Sequence, residues 1–428
     1  EGLIALRDTG GGWTGRLSSS ALSTATAVRA LASIDPDANA KLISAGRKWL
    51  ADNVNEDGGW GDSPQSQSNL PTTLLVWSAI DGEVSSAEHW LSEQMGSLEP
   101  KRIASTLADI YGADRTFAAP ILTMCAISGR LGDGPAAWDL VPPLPFELAT
   151  LPHKSFSFLG MPVVSYALPA LIAIGQARHF HSPTRNPAVR LIRNLARHRT
   201  LKKLKAIQPL GGGFLEAAPL TSFVAMSLAS AGLGDHPVTS ACIDFLTTTV
   251  RSDGSWPIDT NLSTWVTTLS VNALAIGSPM DAEAAETITE WLFDQHYTEV
   301  HPYTHAAPGG WAWSPLSGAV PDGDDTAGAM IALHNLAPDD PKVIQAAAAG
   351  AKWLVDLQNR DGGIPTFCRG WGKLPFDHSC PDITAHALGA WGVWLDSFDR
   401  VLGATVQRAS VQAIEYLTAQ QRDDGSWL

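Results

Sequence analysis

The amino-acid sequence predicts an all-α protein built from repeated helical hairpins. Three observations support this prediction: a short unit recurs along the chain, the segments between its copies carry apolar residues at helical spacing, and no alternating strand pattern of useful length is present. Each unit pairs an aromatic residue and a leucine with a Gly-x-Trp sequence roughly ten residues later. The unit therefore has the form of a helix end, a turn and the start of another helix.

The best copies of the unit lie in both halves of the chain. They are Trp49-Leu50 with Gly58-Gly59-Trp60, Phe245-Leu246 with Gly254-Ser255-Trp256, Trp353-Leu354 with Gln358 and Gly362-Gly363-Ile364, and Tyr416-Leu417 with Gln421 and Gly425-Ser426-Trp427, while Trp90-Leu91 and Trp291-Leu292 are degenerate copies. The Asp-Gly-Gly and Asp-Gly-Ser turns break the helices because glycine accepts positive φ angles. Apolar helices are predicted over Leu22–Ala32, Thr221–Ala231 and Thr326–Leu336. We expect the hairpins to close into α/α-barrel (toroid) rings, since a wide indole in each turn can join neighbouring outer helices.

The length of 428 residues predicts two domains. A poorly repetitive middle containing several prolines, then a basic run that ends at Gly211-Gly212-Gly213, separate two repetitive parts. The predicted domains are therefore 1–205 and 206–428, each an α/α barrel. Because the chain opens and closes inside a repeat, we expect it to be a fragment whose second barrel is incomplete.

The formal net charge of −14 argues against nucleic acid as a partner, because phosphate binding needs a positive surface. One basic run is the exception, and it consists of Arg190, Arg193, Arg197, Arg199, Lys202, Lys203 and Lys205. Two interpretations of this run remain open, a solvated helix face and a contact with anionic lipid headgroups.

The cysteines and the apolar segments limit the cellular context. Four cysteines, Cys125, Cys242, Cys368 and Cys380, do not form a disulfide framework in a chain of this length and suit a reducing compartment. The longest apolar stretch, 161–175, contains two prolines and is shorter than the ~20 residues that a membrane-spanning helix needs. It is predicted to be a buried helix or an element lying in the plane of a membrane.

A group of carboxylates at Asp322, Asp324 and Asp325, directly before an apolar helix, carries the sharpest chemical signal. Such residues can simply cap a helix. Crowded carboxylates cannot all ionise, however, so at least one proton stays on the cluster near neutral pH. An aspartic acid that is hydrogen-bonded to a charged donor becomes a stronger acid, as protonation of an alkene in a dry site requires. The resulting carbocation would be stabilised by aromatic faces.

These residues, together with the repeats, resemble the squalene–hopene cyclase family of class II terpene cyclases. The segment Asp322-Gly323-Asp324-Asp325-Thr326-Ala327 is similar to the acid motif of that family, Pro308-Gly309-Gly310-Trp311-Ala312-Trp313 to the stretch before it, and Asp382-Ile383-Thr384-Ala385-His386 to a later segment. The order and spacing agree over more than 200 residues. The resemblance implies paired α/α barrels with glutamine–tryptophan (QW-type) repeats, and it is looser in the first half, chiefly at Leu144-Pro145-Phe146-Glu147-Leu148.

The resemblance implies a role for each matching residue. Asp324 would be the general acid, with Asp322 and Asp325 as flanking carboxylates, and His386 would hydrogen-bond the acid. A lone histidine on such a helix is more often a core residue, but its place in the segment favours the catalytic role. The matches implied to contact substrate, or to lie near that histidine, are Trp313, Phe367, Trp311 and Asp382. Trp311 and Trp313 fit a core position equally well.

Three departures from the family bear on the product. Small residues occupy the first-domain positions where hopene cyclases carry cavity-lining tryptophan and glutamate, the stretch 367–372 differs, and the aromatic-rich C-terminal segment of the family is missing. The first acid step is therefore better supported than any particular product.

Other helical barrels offer competing hypotheses. Asp377, His378 and Cys380 could be taken for the zinc site of a protein prenyltransferase, but they lie too close together and the Asp-x-Cys half is absent. A diphosphate-ionising terpene synthase would use a different aspartate motif with magnesium. A non-catalytic scaffold or a carbohydrate-active barrel would not need the aspartate cluster together with its histidine.

The expected function is therefore proton-initiated cyclisation of squalene or another long polyprene, with no metal ion and no cofactor. The expected partner is a polyprenoid substrate, with monotopic contact to the cytoplasmic side of a membrane by family analogy. A homodimer is left open.

Overall fold

The computed structural model describes residues 2–82, 84–112, 116–151, 165–277, 280–302, 304–367 and 375–427. Most of these residues are α-helical, which confirms the predicted fold class. In chain order the helices are α1 Gly2–Ala5, α2 Ala21–Ile34, α3 Ala40–Asp52, α4 Leu70–Ala79, α5 Ser85–Met95, α6 Pro100–Tyr111, α7 Ala118–Ile127, α8 Gly134–Asp139, α9 Leu168–His181, α10 Pro187–Ala206, α11 Ala218–Ser230, α12 Pro237–Thr249, α13 Ser263–Ala275, α14 Ala282–Asp294, α15 Gly323–Leu336, α16 Pro341–Leu357, α17 Pro381–Trp394 and α18 Arg400–Gln420. Two-residue strands, β1 Ser19–Ser20 and β2 Trp256–Pro257, form an antiparallel pair. Cys368, and residues 161–164 of the apolar stretch, lie outside the described residues.

The chain forms two compact units, and their division differs from the predicted one. One unit is Arg16–Thr260, and the other joins Glu1–Gly15 to Asn261–Leu428. The boundary lies at residue 260 and not near residue 206 because α11, which follows the glycine-rich segment, packs against α2 and α9. The hairpin α11–α12 therefore belongs with the first half of the chain.

The unit Arg16–Thr260 is a closed ring of inner helices. Helix α2 packs on α4, α4 on α7, α7 on α9, α9 on α11, and α11 again on α2. At the point of closure Ser20 of β1 pairs with Trp256 of β2. Outer helices cover this ring, with α3 on α2, α5 on α4, α10 on α9 and α12 on α11. The described part of the apolar stretch lies in the buried inner helix α9. No helix in the described ranges is long and apolar enough to cross a membrane.

The other unit contains the row of inner helices that carries the acid cluster. Helix α13 packs on α15 and α15 on α17, with α14 and α16 against α15 and α18 against α17. The inner helix α15 is buried along most of its length, because alanine, glycine and threonine let its neighbours approach closely. Its first turn holds Asp324 and Asp325, so this row positions the candidate site.

The repeat turns share one set of hydrogen bonds. In four of them the turn tryptophan donates its indole N–H to the leucine carbonyl ten residues earlier, at 2.7 to 2.9 Å, in the pairs Trp13–Leu3, Trp60–Leu50, Trp256–Leu246 and Trp427–Leu417. In six turns a backbone N–H also donates to a threonine hydroxyl on an inner helix, at 2.9 to 3.0 Å. The donor and acceptor residues are Trp13–Thr267, Trp60–Thr73, Phe214–Thr221, Trp256–Thr24, Trp311–Thr326 and Ile364–Thr384. The first bond closes the turn on its own helix, and the second fixes where the inner helix starts.

Neighbouring hairpins are joined by the turn tryptophan, as the sequence suggested, and also by an aromatic residue of the outer helix. The rings of Trp256 and Trp311 lie so close to Gly46 on α3 and Gly350 on α16 that a Cβ there would be 3.3 and 3.1 Å away. The ring of Tyr416 packs over Gly363 so closely that a Cβ there would lie 2.9 Å from the ring. Trp90 packs over Gly59 in the same way. The side-chain amide of Gln358 adds a polar link, donating to the carbonyl of Gly362 at 2.7 Å and to that of Ala409 on α18 at 2.9 Å. In these two Gly-Gly turns the second glycine is therefore required by the close approach of the ring.

We expect Gly363→Ala to destabilise the protein by roughly 1–3 kcal/mol, because the new methyl group would overlap the Tyr416 ring and the Ser379 side chain. The measurement is the urea-unfolding free energy. Gly403→Ala on α18 is the control, since a Cβ there meets nothing within 4 Å and alanine favours a helix. Equal stability of the two variants would contradict the packing argument.

Candidate active site

The acid cluster is held at the start of α15 by backbone hydrogen bonds on both sides. Asp322 is the N-cap, and its Oδ1 accepts from the N–H of Asp325 at 2.8 Å. Its own N–H donates to the carbonyl of Trp311 at 3.1 Å, and the N–H of Gly323 donates to the carbonyl of Thr366 at 2.8 Å. These bonds fix the directions of the three carboxylates.

Asp322 and Asp325 form a buried carboxyl pair, with only 3% and 4% of their surfaces exposed. Burial raises the pKa of Asp322 to about 7. Burial, followed by the charge of Asp322, raises the pKa of Asp325 well above its usual value. Oδ2 of Asp322 and Oδ1 of Asp325 have no hydrogen-bond partner among the described residues. Because the pKa of both carboxyl groups is raised, the pair retains a proton near neutral pH.

Asp324 points away from this pair and is held through both of its oxygens. Its Oδ1 lies 2.7 Å from Nδ1 of His386, and its Oδ2 accepts from the indole N–H of Trp265 at 3.0 Å. Asp324 is 38% exposed and His386 25%. Partial burial works to raise the pKa of Asp324, but the hydrogen bond and charge of His386 and the bond from Trp265 outweigh it, so the pKa is lowered. The retained proton therefore belongs to the buried pair, and Asp324, once protonated, is a strong acid.

Trp265 is the site residue that sequence reasoning missed. It lies in the first turn of α13, and the N–H groups of Thr264 and Trp265 both donate to the carbonyl of Trp313, at 3.0 and 3.3 Å. No motif surrounds Trp265, and its link to Asp324 spans 59 residues. Only the packing of α13 on α15 brings the two side chains together, so local sequence carried no signal for this contact.

The predicted aromatic residues separate into two groups. The rings of Trp313 and Phe367 lie 5.8 Å apart, and Phe367 is also 5.1 Å from Phe376, which makes a small aromatic cluster. Trp311 is fully buried, donates its indole N–H to the carbonyl of Leu292 at 2.8 Å and stacks on a histidine ring at 4.1 Å. We therefore keep Trp313 and Phe367 as candidates for substrate contact and treat Trp311 as a core residue.

Asp382 is the last of the predicted site residues. Asp382 is exposed, one turn before His386 on α17, and within the described ranges no hydrogen bond joins the two side chains. Among the residues whose positions are described, no group of three or more His, Cys, Asp or Glu side chains is placed to hold a metal ion.

Several known proteins are similar to this chain. The squalene–hopene cyclase of Alicyclobacillus acidocaldarius is 32% identical over 200 residues, which is 41% of this chain and 30% of that protein. The sporulenol synthase of Bacillus subtilis is 26% identical over 239 residues, 50% of this chain and 36% of that protein. The matches thus span about a third of these relatives. Among solved structures, an ent-copalyl diphosphate synthase from Streptomyces platensis covers 97% of this chain and 91% of its own at 16% identity, with a TM-score of 0.32.

We expect Asp322→Asn to flatten the dependence of stability on pH. A carboxyl whose pKa is about 7 when folded and 3.8 in its reference state binds more protons in the folded protein, so the unfolding free energy falls as pH rises between these values. Asparagine keeps the cap and removes the titration. The measurement is urea unfolding from pH 4.5 to 7.5. Asp399→Asn, at the exposed start of α18, is the control, and identical slopes for the parent and Asp322→Asn would contradict the buried pair.

The match to a family model settles the classification. The model of the squalene-hopene cyclase C-terminal domain matches residues 3–77 and 260–428, which together make up more than half of the chain. The second segment contains the whole row of helices α13 to α18 and all of the site described above. This chain therefore belongs to the squalene–hopene cyclase C-terminal domain family of class II terpene cyclases.

Proposed function

We propose that the site at the start of α15 initiates the cyclisation of squalene or another long polyprene by protonating a terminal carbon–carbon double bond. The observation that carries this proposal is the environment of Asp324, whose two oxygens accept hydrogen bonds from His386 and Trp265. Both donors stabilise the carboxylate that remains after the proton has left. Since an alkene is a very weak base, this stabilisation of the conjugate base is what the reaction requires of its acid.

In the proposed first step the O–H bond of protonated Asp324 breaks, and the proton forms a C–H bond with the less substituted alkene carbon. The π electrons supply that bond, and the other alkene carbon becomes a tertiary cation. The next double bond of the chain then donates its electrons to the cation and closes a ring. Asp324 is left as an anion between His386 and Trp265, so the charge it gains is already matched by two donors.

The aromatic cluster is proposed to stabilise the early cations. Trp313 is tied through its carbonyl to the first turn of α13, where Trp265 reaches the acid, so it is anchored to the element that contacts Asp324. Its ring and that of Phe367 present π faces, which attract a cation without forming a bond to it. A carboxylate or amine at the same place would capture the cation, so aromatic side chains suit this position.

The buried pair of Asp322 and Asp325 is proposed to serve the acid in two ways. It keeps one proton inside the cluster, next in sequence to the residue that must be recharged after each turnover. The same proton removes one negative charge from the carboxyl pair next to Asp324, which limits the repulsion when Asp324 becomes an anion. As the matches span only part of the relatives, the substrate and the product of the whole protein remain part of this proposal.

We expect Asp324→Asn to lower the rate of product formation at least about 10²-fold, because the amide cannot donate the proton. Gas chromatography–mass spectrometry would measure cyclic products from squalene, oxidosqualene and shorter polyprenes in detergent. The control is Asp340→Asn at the start of α16, which keeps a helix cap outside the site, and circular dichroism checks folding. Full activity in Asp324→Asn would overturn the assignment, and a folded parent without any product would favour a non-catalytic barrel.

We expect Trp265→Phe to raise the pKa of Asp324, because the lost indole N–H stabilised the ionised form. The acid then becomes weaker but is protonated more often, so kcat should fall roughly tenfold while the pH below which the enzyme is active moves upward. Trp291→Phe is the control, since Trp291 packs against Gly12 and makes no hydrogen bond to Asp324. A lower kcat with an unchanged pH profile would mean that Trp265 acts only through packing.

A further inference from the structure

The inner helix α15 contains two buried glycines, Gly323 at its first position and Gly328 in its second turn. Neither has a positive φ angle, so the backbone conformation at both positions is one that other residues adopt. Alanine also favours a helix more than glycine does. What glycine offers at these two positions is therefore the space left by a missing side chain.

The space at Gly328 is bounded on two sides. A Cβ at this position would lie 2.9 Å from Oγ1 of Thr268 on α13 and 3.4 Å from Cε1 of His386 on α17. Non-bonded heavy atoms of packed side chains are separated by about 3.5–4.0 Å. The first distance is therefore an overlap and the second a tight contact, so α13 and α17 approach α15 here as closely as glycine allows.

Both neighbours of Gly328 are linked to a donor of Asp324, which lies one turn earlier on α15. The Cε1 atom of His386 is bonded to Nδ1, the atom that lies 2.7 Å from Oδ1 of the acid. The hydroxyl of Thr268 donates to the carbonyl of Trp265 at 2.9 Å, and the indole of that tryptophan donates to Oδ2 of the acid. One point on α15 is thus in contact with both halves of the hydrogen-bonded acid.

Gly323 shows the same close approach one turn earlier on α17. A Cβ there would lie 2.9 Å from Cγ2 of Ile383 and 3.0 Å from the carbonyl oxygen of Pro365. Ile383 precedes His386 by one turn, so α17 lies against α15 at both glycines. Glycine on α17 itself is not packed in this way, since a Cβ at Gly389 would meet one atom at 3.7 Å.

We propose that Gly328 is a positioning residue of the acid, because its missing side chain provides the space in which His386 and Trp265 both reach Asp324. Thr268 is only 1% exposed and cannot give way, whereas the side chain of His386 is 25% exposed and can move toward solvent. A methyl group at position 328 would therefore displace the imidazole and lengthen its hydrogen bond to the acid. The expected effect on turnover rests on the proposed function, but the geometric claim does not.

Nuclear magnetic resonance of the whole chain, labelled with ¹⁵N-histidine, tests the geometry without substrate. Correlations from the ring carbon protons report whether Nδ1 carries a hydrogen-bonded proton, and the signal of His386 is assigned by its absence from His386→Gln. We expect Gly328→Ala to shift this Nδ1 signal toward that of free imidazole. Gly389→Ala, the same exchange in open space on α17, should leave the signal unchanged.

Kinetics with the polyprene that gives product tests the effect on turnover. Gly328→Ala should lower kcat roughly 10- to 100-fold with little change in KM, since it weakens a hydrogen bond to a charged group. The pH below which the enzyme is active should move upward, because that bond lowers the pKa of Asp324. Gly389→Ala should keep the parental kcat and pH profile.

A double variant separates displacement of the imidazole from general damage. Thr268→Ala removes the overlapping Oγ1, so adding it to Gly328→Ala should restore the His386 signal and raise kcat roughly tenfold. Thermal unfolding shows whether each variant is folded, and the double variant serves if Gly328→Ala alone does not fold. An unchanged His386 signal in Gly328→Ala, or a folded double variant without the parental signal, overturns the inference. Absence of product from any polyprene would contradict the proposed function and leave the resonance test intact.

Discussion

The hydrogen bond from a turn N–H to a threonine hydroxyl is the interaction on which this structure depends. It recurs wherever an inner helix begins beside a repeat turn, and it fixes the height and rotation of that helix. In the row that carries the site, the bonded threonines are Thr267 on α13, Thr326 on α15 and Thr384 on α17. The side chains that meet at the site are Trp265, Asp324 and His386, and each lies two residues from one of these threonines. The hydrogen bond that positions each inner helix therefore also aligns Asp324 with its two donors.

Helix geometry shifts the pKa values of the carboxyl groups in this short segment in opposite directions. An N-cap residue and the residue three positions later face each other, so Asp322 and Asp325 turn inward and lose their contact with water. Asp324 lies between them in sequence and faces α13 and α17, where its side chain is hydrogen-bonded to Trp265 and His386. Burial therefore keeps a proton on the first two, while hydrogen bonding favours the anion of the third.

Much of this could be predicted from the sequence, and the failures have physical causes. Local backbone geometry requires glycine in the hairpin turns, and an aromatic–leucine pair precedes each turn. These local signals were enough to predict an all-α fold of helical hairpins. Asp324 and His386 could be paired because the surrounding segments resemble a family. Trp265 could not be predicted as a partner of Asp324, since only tertiary packing brings the two side chains together. The boundary near residue 206 was placed on composition, whereas the ring is closed by α11 packing on α2, a contact between residues far apart in the chain. Trp311 and Trp313 are two residues apart, but only the structure shows that Trp311 is packed in the core.

The closed ring of Arg16–Thr260 has a consequence for the order of folding. Every contact of that ring lies between residues 16 and 260, so the ring can close as soon as β2 has been synthesised and has paired with β1. The first fifteen residues belong to the other unit, where Trp13 donates its N–H to Thr267. During synthesis they must remain unpaired until a segment some 250 residues later has emerged. One unit is thus inserted into the other along the chain, and the unit that contains the acid completes its fold last.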